Sequence, residues 1–170
     1  PLRNMAVYIV DSNFFIQAHR YTYPIDIAIG FWNKVENLAK AGIIISIDKV
    51  KAELYDKNDD LEAWCREFLP IDFFKDSTEV MEEYSLVSEW ALSMNHHYLP
   101  NAVSEFLDAD IADAFLVSYA LSLPKDRVLV TQEVSAPNIK RKIKIPECCN
   151  ALGVTYLNSI EMLRELGETF

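Results

Sequence analysis

Apolar runs of three to five residues recur along the chain, and helical patterns separate them. Ala6-Val7-Tyr8-Ile9-Val10 is continuous rather than alternating. A short run with no polar face reads as a strand buried on both sides, the parallel kind. Ile43 to Ile47 is a second such run, Val128-Leu129-Val130 a third, and Gly153 to Leu157 a fourth. Between them, Ile27, Phe31, Val35 and Leu38 fall at helical spacing over 27–41, and Gly42 follows as a stop. Asp48 is placed to cap a helix carrying Glu53. Residues 60–69 and 78–94 read as helices and 95–104 as a loop. Residues 108–122 read as a helix opened by aspartates, which suit the positive end of its dipole. A loop with Pro137 and several bases leads to a helix at 146–152, and Ser159 is placed to cap a last helix at 160–166.

Strands alternating with helices predict a three-layer α/β/α fold around a central parallel sheet. Linkers, repeats and low-complexity stretches are absent, so one domain over residues 1–170 is expected. A chain of this length buries roughly 70% of its unfolded surface without needing disulfides.

Ligands of open parallel sheets gather beyond the carboxyl ends of the strands. Asp11 and Glu133 each follow an apolar run, and Glu53 comes shortly after another. Asp110 and Asp113 share the start of the expected helix, and i, i+3 spacing sets them on one face. Two like charges about 4 Å apart repel by about 4 kcal/mol at an effective dielectric of 20. Converging carboxylates therefore take up protons or bind cations. Hard oxygen donors select Mg²⁺ or Mn²⁺, and the chemistry that suits them is phosphodiester hydrolysis.

Charge and composition narrow the field. The net charge of −10 repels nucleic acid globally, so RNA binding would rest on a local basic patch or on metal ions. Four glycines and no GxGxxG or GxxxxGK[ST] run argue against a phosphate-cradling loop. Three cysteines without a regular framework fit a reducing compartment. The apolar run from Met5 to Val10 is far too short to cross a bilayer. A cytoplasmic protein without a membrane anchor is expected.

Four segments carry a family resemblance: Val10-Asp11-Ser12-Asn13-Phe14-Phe15-Ile16, Val50-Lys51-Ala52-Glu53-Leu54, Ala112-Asp113-Ala114-Phe115 with the small-residue stretch after it, and Val130-Thr131-Gln132-Glu133. In order and spacing the chain resembles a PIN-like domain, in the branch of VapC-type toxins. Gly30-Phe31-Trp32 and Lys144-Ile145-Pro146 are similar to elements of the same branch. The resemblance implies a small parallel sheet and carboxylates holding Mg²⁺ or Mn²⁺. It implies cleavage of single-stranded RNA to 5′-phosphate and 3′-hydroxyl ends. A homodimer and a partner antitoxin are implied as well. By position it makes Asp11, Glu53, Asp113 and Glu133 the catalytic set. Asp11, Asp113 and Glu133 would hold the metal, and Glu53 would ligate it or orient the attacking water. Asp110 is an additional candidate ligand. The family more often has aspartate at the position of Glu133, whose side chain reaches one methylene further.

Each residue also has a plainer role open to it. Asp-Ser-Asn at 11–13 is good turn chemistry. Asp110 suits an N-cap, with Asp113 at N3 of a capping box. Asn13 and Thr131 are placed either to orient a carboxylate or to cap local backbone. The dense basic run Lys140, Arg141, Lys142 and Lys144 is either a solvated loop or a hold on the RNA backbone. His19, Arg20, Tyr21 and Tyr23 are open to RNA contact or to packing. His96-His97 lacks partners at zinc-ligand spacing and reads as a solvated loop. Cys148-Cys149 reads as a packing pair near a helix start, and Trp32, Trp64 and Trp90 as packing on helix faces.

Rival enzymes fit poorly. A haloacid-dehalogenase-type phosphatase needs an aspartate where Asn13 stands, and a receiver domain needs an acidic pair before its first helix. A degenerate PIN fold that binds RNA or protein without turnover is the other alternative.

Overall fold

A computed structural model describes residues 6–170. Met5, at the head of the first apolar run, lies outside them. Strand β1 (Val7–Val10) is the middle of a five-stranded sheet of order β3-β2-β1-β4-β5, and every pairing is parallel. β2 is Ile44–Ile47, β4 is Arg127–Val130 and β5 is Tyr156–Leu157. Register pairs Tyr8 with Ile44 on one side and with Val128 on the other. Tyr8, Ile9 and Val10 are wholly buried, as an unalternating run requires.

Helices flank the sheet on both faces, which is the expected three-layer α/β/α class. The helices are α1 (Ser12–Gln17, continued by a wider turn at Ala18–Thr22), α2 (Ile29–Lys40), α3 (Asp48–Leu54), α4 (Asp60–Phe68), α5 (Met81–Ser93), α6 (Pro100–Phe106), α7 (Asp113–Leu121), α8 (Ile145–Leu152) and α9 (Ser159–Leu166). Helices α2 and α9 lie together: Phe31 meets Phe170 just beyond α9, and Lys34 pairs with Glu168 at 2.7 Å. Helix α7 is buried all round from Ala114 to Ala120 and packs against α5 and α8. A helix without a polar face has to be central.

Where expectation and structure part, local signals were outweighed. Residues 95–104 are not all loop, because α6 begins at Pro100, and proline suits the first turn of a helix. β3 (Phe74–Lys75) is two residues long and leaves no pattern to read. Residues 77–94 start as a 3₁₀ turn at Ser77–Val80 before α5. Helix α7 starts at Asp113, five residues later than the aspartate-rich pattern suggested. Asn158, rather than Ser159, caps α9, in a capping box with Glu161. Asp48 is the first residue of α3 and not its cap, and its carboxylate accepts the Ser77 N–H at 3.1 Å. Gly42 does end α2, with φ of +71°. Among the described residues no helix is long and apolar enough to cross a membrane.

Candidate active site

Strand order selects the place. From β1 the chain moves out to β2 and β3 on one side, then returns to lay down β4 and β5 on the other. Where the strand order reverses, the connecting loops part and leave a crevice beyond the carboxyl ends. Asp11 leaves β1 at that point, and Glu133 lies three residues past the end of β4. Ser46 in β2 donates its hydroxyl to the Val10 carbonyl at 2.6 Å and so fixes the backbone from which Asp11 emerges.

Each acid is held by a different element. Asp11 is buried and caps α1, its Oδ1 accepting the Phe14 N–H at 2.9 Å. The Thr131 side chain also bonds its carboxylate. Thr131 therefore does both things its type allows, since its Oγ1 also accepts the Glu133 N–H at 3.1 Å. Glu53, near the end of α3, accepts the Ser12 hydroxyl at 2.6 Å and the Ala112 N–H at 3.3 Å. It thus ties α1 and α3 to the entry of α7. Asp113 is the first residue of α7. Glu133 accepts the Ile145 N–H at 2.8 Å, and the Lys142 ammonium stands 3.6 Å from its other oxygen.

The carboxylates act on one another. Burial pushes the Asp11 carboxyl up to about 7, with the negative charges of Asp113 and Glu133 adding to it against the Phe14 and Thr131 hydrogen bonds. Burial likewise raises Asp113 to about 7; Glu133, Glu53 and Glu105 push the same way, and Lys142 opposes them. A cavity of about 190 Å³ opens at this point, walled by Ser12, Asn13, Glu53, Asp113, Glu133 and Lys142 among others.

Residues 8–170 match the DUF4411 family, described as a domain of unknown function. The chain belongs to that family. No curated protein and no solved structure matches it. The DUF4411 match covers all four acids and, apart from Val7, the strands that set them.

Within this DUF4411 chain the donors suit a hard divalent cation in kind: all are carboxylate oxygens, and they repel one another. As the side chains are placed, however, no group of three His, Cys, Asp or Glu among the described residues stands close enough to hold an ion. Protein donors occupy several of the carboxylate oxygens.

Other expected site residues fall elsewhere. Asp110 is exposed and outside the pocket. It precedes α7, so the one-face spacing does not apply to it. Ala112 takes the N-cap position, which leaves no capping box between Asp110 and Asp113. The Asp110 N–H is held by Asp108 at 2.8 Å, and its side chain borders a neighbouring groove with Lys49 and Lys57. Of the basic run only Lys142 reaches the carboxylates. Lys140 and Arg141 are exposed, and Lys144 donates to the Val134 carbonyl at 2.8 Å. Tyr23 stacks on Phe31 at 4.4 Å, which is packing, while Tyr21 is exposed. Cys148 and Cys149 are buried free thiols in the first turns of α8, and burial pushes Cys149 up to about 12.

Glu105 and Ile143 line the cavity without having been singled out in the sequence. Glu105 lies in α6. Pro100 at the helix start was the available signal for that element, and read as such it would have put Glu105 on a helix.

Proposed function

We propose that this DUF4411 member is a metal-dependent endoribonuclease of the PIN-like kind, hydrolysing phosphodiester bonds in single-stranded RNA. One observation carries the proposal: Glu53, Asp113 and Glu133 line one pocket, and buried Asp11 lies close enough to Asp113 and Glu133 for their charges to help raise its carboxyl to about 7. A fold keeps such repulsion where something positive is to be bound. Asp11, Asp113 and Glu133 would hold Mg²⁺ or Mn²⁺, directly or through water. When bound, the cation supplies charge stabilisation at the phosphate and a lowered pKa for the attacking water.

The rest is done by the protein's own groups. Thr131 and the Phe14 N–H fix the Asp11 carboxylate. Glu53, pinned by Ser12 and the Ala112 N–H, is oriented to take a proton from the attacking water. Lys142 offers its ammonium to a phosphate oxygen in exchange for Glu133. Asn13 supplies a polar group at the pocket wall. Products would carry 5′-phosphate and 3′-hydroxyl ends. As a toxin the enzyme would be held inactive by an antitoxin protein and would act as a homodimer in the cytoplasm. Exposed Tyr21, Ile27 and Ile29 offer apolar surface for a second copy.

The test is cleavage of labelled single-stranded RNA with Mg²⁺ or Mn²⁺. Activity is expected to fall by about 100-fold or more in Asp11→Asn and Asp113→Asn. Wild-type rates in both folded variants would overturn the site. Growth arrest on expression, abolished by Asp113→Asn, checks the toxin role.

The hydrogen bond and ion pair already made by Glu133 favour a second possibility: a PIN-like module that binds RNA or protein without turnover. Calorimetric titration with Mn²⁺ separates the two. Binding that Asp11→Asn weakens supports the enzyme, and no heat at millimolar Mn²⁺ supports the module.

A further inference from the structure

Trp90, the His96-His97 pair and the loop between β4 and α8 meet in the fold. Trp90 and Met94 come from the end of α5, His96, His97 and Tyr98 from the turn that follows, and Pro137 from the β4–α8 loop. With Glu147 and Ala151 of α8 they line an open cavity of about 340 Å³. That is larger than the carboxylate pocket and within the range of small-ligand sites.

Its walls are aromatic and firmly set. Tyr98 meets Trp90 edge-on at 6.3 Å and His97 at 4.7 Å. Glu147 is buried, and its carboxylate accepts the Ser135 hydroxyl at 2.7 Å and the Ala136 N–H at 2.6 Å, which clamps the loop onto α8. The Nε2 of His97 is buried without a hydrogen-bond partner. A buried polar group left unsatisfied in this way is unfavourable.

The cavity adjoins the carboxylate pocket. Phe106 lines that pocket, and its ring lies 6.4 Å from that of Trp90. The same loop gives Pro137 to one cavity and Lys142 and Ile143 to the other. Between those residues stand exposed Lys140 and Arg141, and the Lys140 carbonyl accepts the Leu99 N–H at 2.9 Å.

We infer that the aromatic cavity takes a nucleobase of the RNA strand whose phosphodiester lies among the carboxylates, an inference that rests on the nuclease proposal. Trp, Tyr and His walls suit the flat face of any base. Lys140 and Arg141, exposed on the loop that serves both cavities, supply positive charge for a backbone running between them. A base reaches such a cavity only when unstacked and unpaired, which selects single strands.

Two arms test it. In the first, the Asp113→Asn chain is titrated with adenosine and uridine 5′-monophosphates while the Trp90 indole and His97 ring signals are followed by NMR. The signals are expected to shift, and to stay still when Ala151→Trp is added, since an indole from that exposed position on α8 fills the cavity. In the second, single-stranded RNA cleavage is measured in the otherwise intact chain. Ala151→Trp and Trp90→Leu are each expected to raise KM about tenfold, with the loss falling on KM rather than kcat. Signals that ignore the mononucleotides, equal shifts in the plugged chain, or an unaltered KM in both variants would overturn the base site. Plug-sensitive shifts in a chain that cleaves no RNA would uphold the base site and remove the nuclease proposal.

Discussion

Asp11 is at once a helix cap, a buried acid and one of a repelling set, and those roles pull on its proton in opposite directions. Burial and the neighbouring carboxylates outweigh the hydrogen bonds from Phe14 and Thr131, and the carboxyl stands at about 7 rather than near 4. The sign of its effect on stability follows. Between about pH 4 and pH 7 the folded chain keeps protons on Asp11 and Asp113 that the unfolded chain has lost. Stability without metal is therefore complete below about pH 4, falls as pH rises through that window, and levels off above it. Asp113→Asn removes one of these charges. It is expected to raise the metal-free melting temperature at pH 8 by several degrees and to leave it nearly unchanged at pH 4, as calorimetry would show. Equal effects at the two pH values would contradict the shared-charge account. Thr131→Val keeps the shape and removes the hydroxyl that serves both Asp11 and the Glu133 N–H. Cleavage is expected to fall about 10- to 100-fold with a stability loss of about 1 kcal/mol, read from rates and urea midpoints.

At the scale of elements, buried strands were plain and helix ends were not. An unbroken run such as Tyr8-Ile9-Val10 can be stable only under cover on both faces, so β1, β2 and β4 could be read directly. Helix α7 looked longer because aspartates at 108 and 110 are good first-turn residues, yet that stretch is held instead by the Asp108 side chain on the Asp110 N–H. β3 exists because β2 offers it an edge, with Ser46 opposite Phe74 and Ile47 opposite Lys75, and nothing local calls for it. Helix α9 is fixed by the reciprocal bonds of Asn158 and Glu161, at 2.8 and 3.2 Å. Asn158→Ala is expected to lower stability by about 1 kcal/mol, seen as a lower urea midpoint with an unchanged slope.

For the whole molecule, a charge of −10 repels nucleic acid overall, so the proposed RNA binding depends on local positive charge. Lys142 sits where attraction is needed, within reach of Glu133 and Asp113. Lys142→Gln is expected to weaken RNA binding at every sequence. It should also reduce the slope of log affinity against log salt by about 0.7, one single-strand phosphate contact, in fluorescence anisotropy at several salt concentrations. Added Mn²⁺ is expected to raise the melting temperature in proportion to the logarithm of its concentration above its dissociation constant, most strongly above pH 7 where the acids are charged. Asp11→Asn should blunt that rise, and a melting temperature indifferent to Mn²⁺ would remove the metal from the proposal.

The linear pattern of residues made the class of fold legible, because continuous apolar runs and 3.6-residue spacing are local consequences of what must be buried. It also put Asp11 and Glu133 at strand ends and Asp113 at a helix start, since those positions follow from the same patterns. Which acids meet was set by the three-dimensional arrangement. Convergence depends on the order β3-β2-β1-β4-β5, which brings the ends of β1 and β4 side by side and leaves Asp110 outside although it lies only three residues from Asp113. That arrangement decided likewise that Lys142, alone of four clustered bases, enters the carboxylate pocket, and that Trp90 and His97 share a cavity with α8. Contacts between residues far apart in the chain depend on loop closure and packing, and no local pattern encodes them.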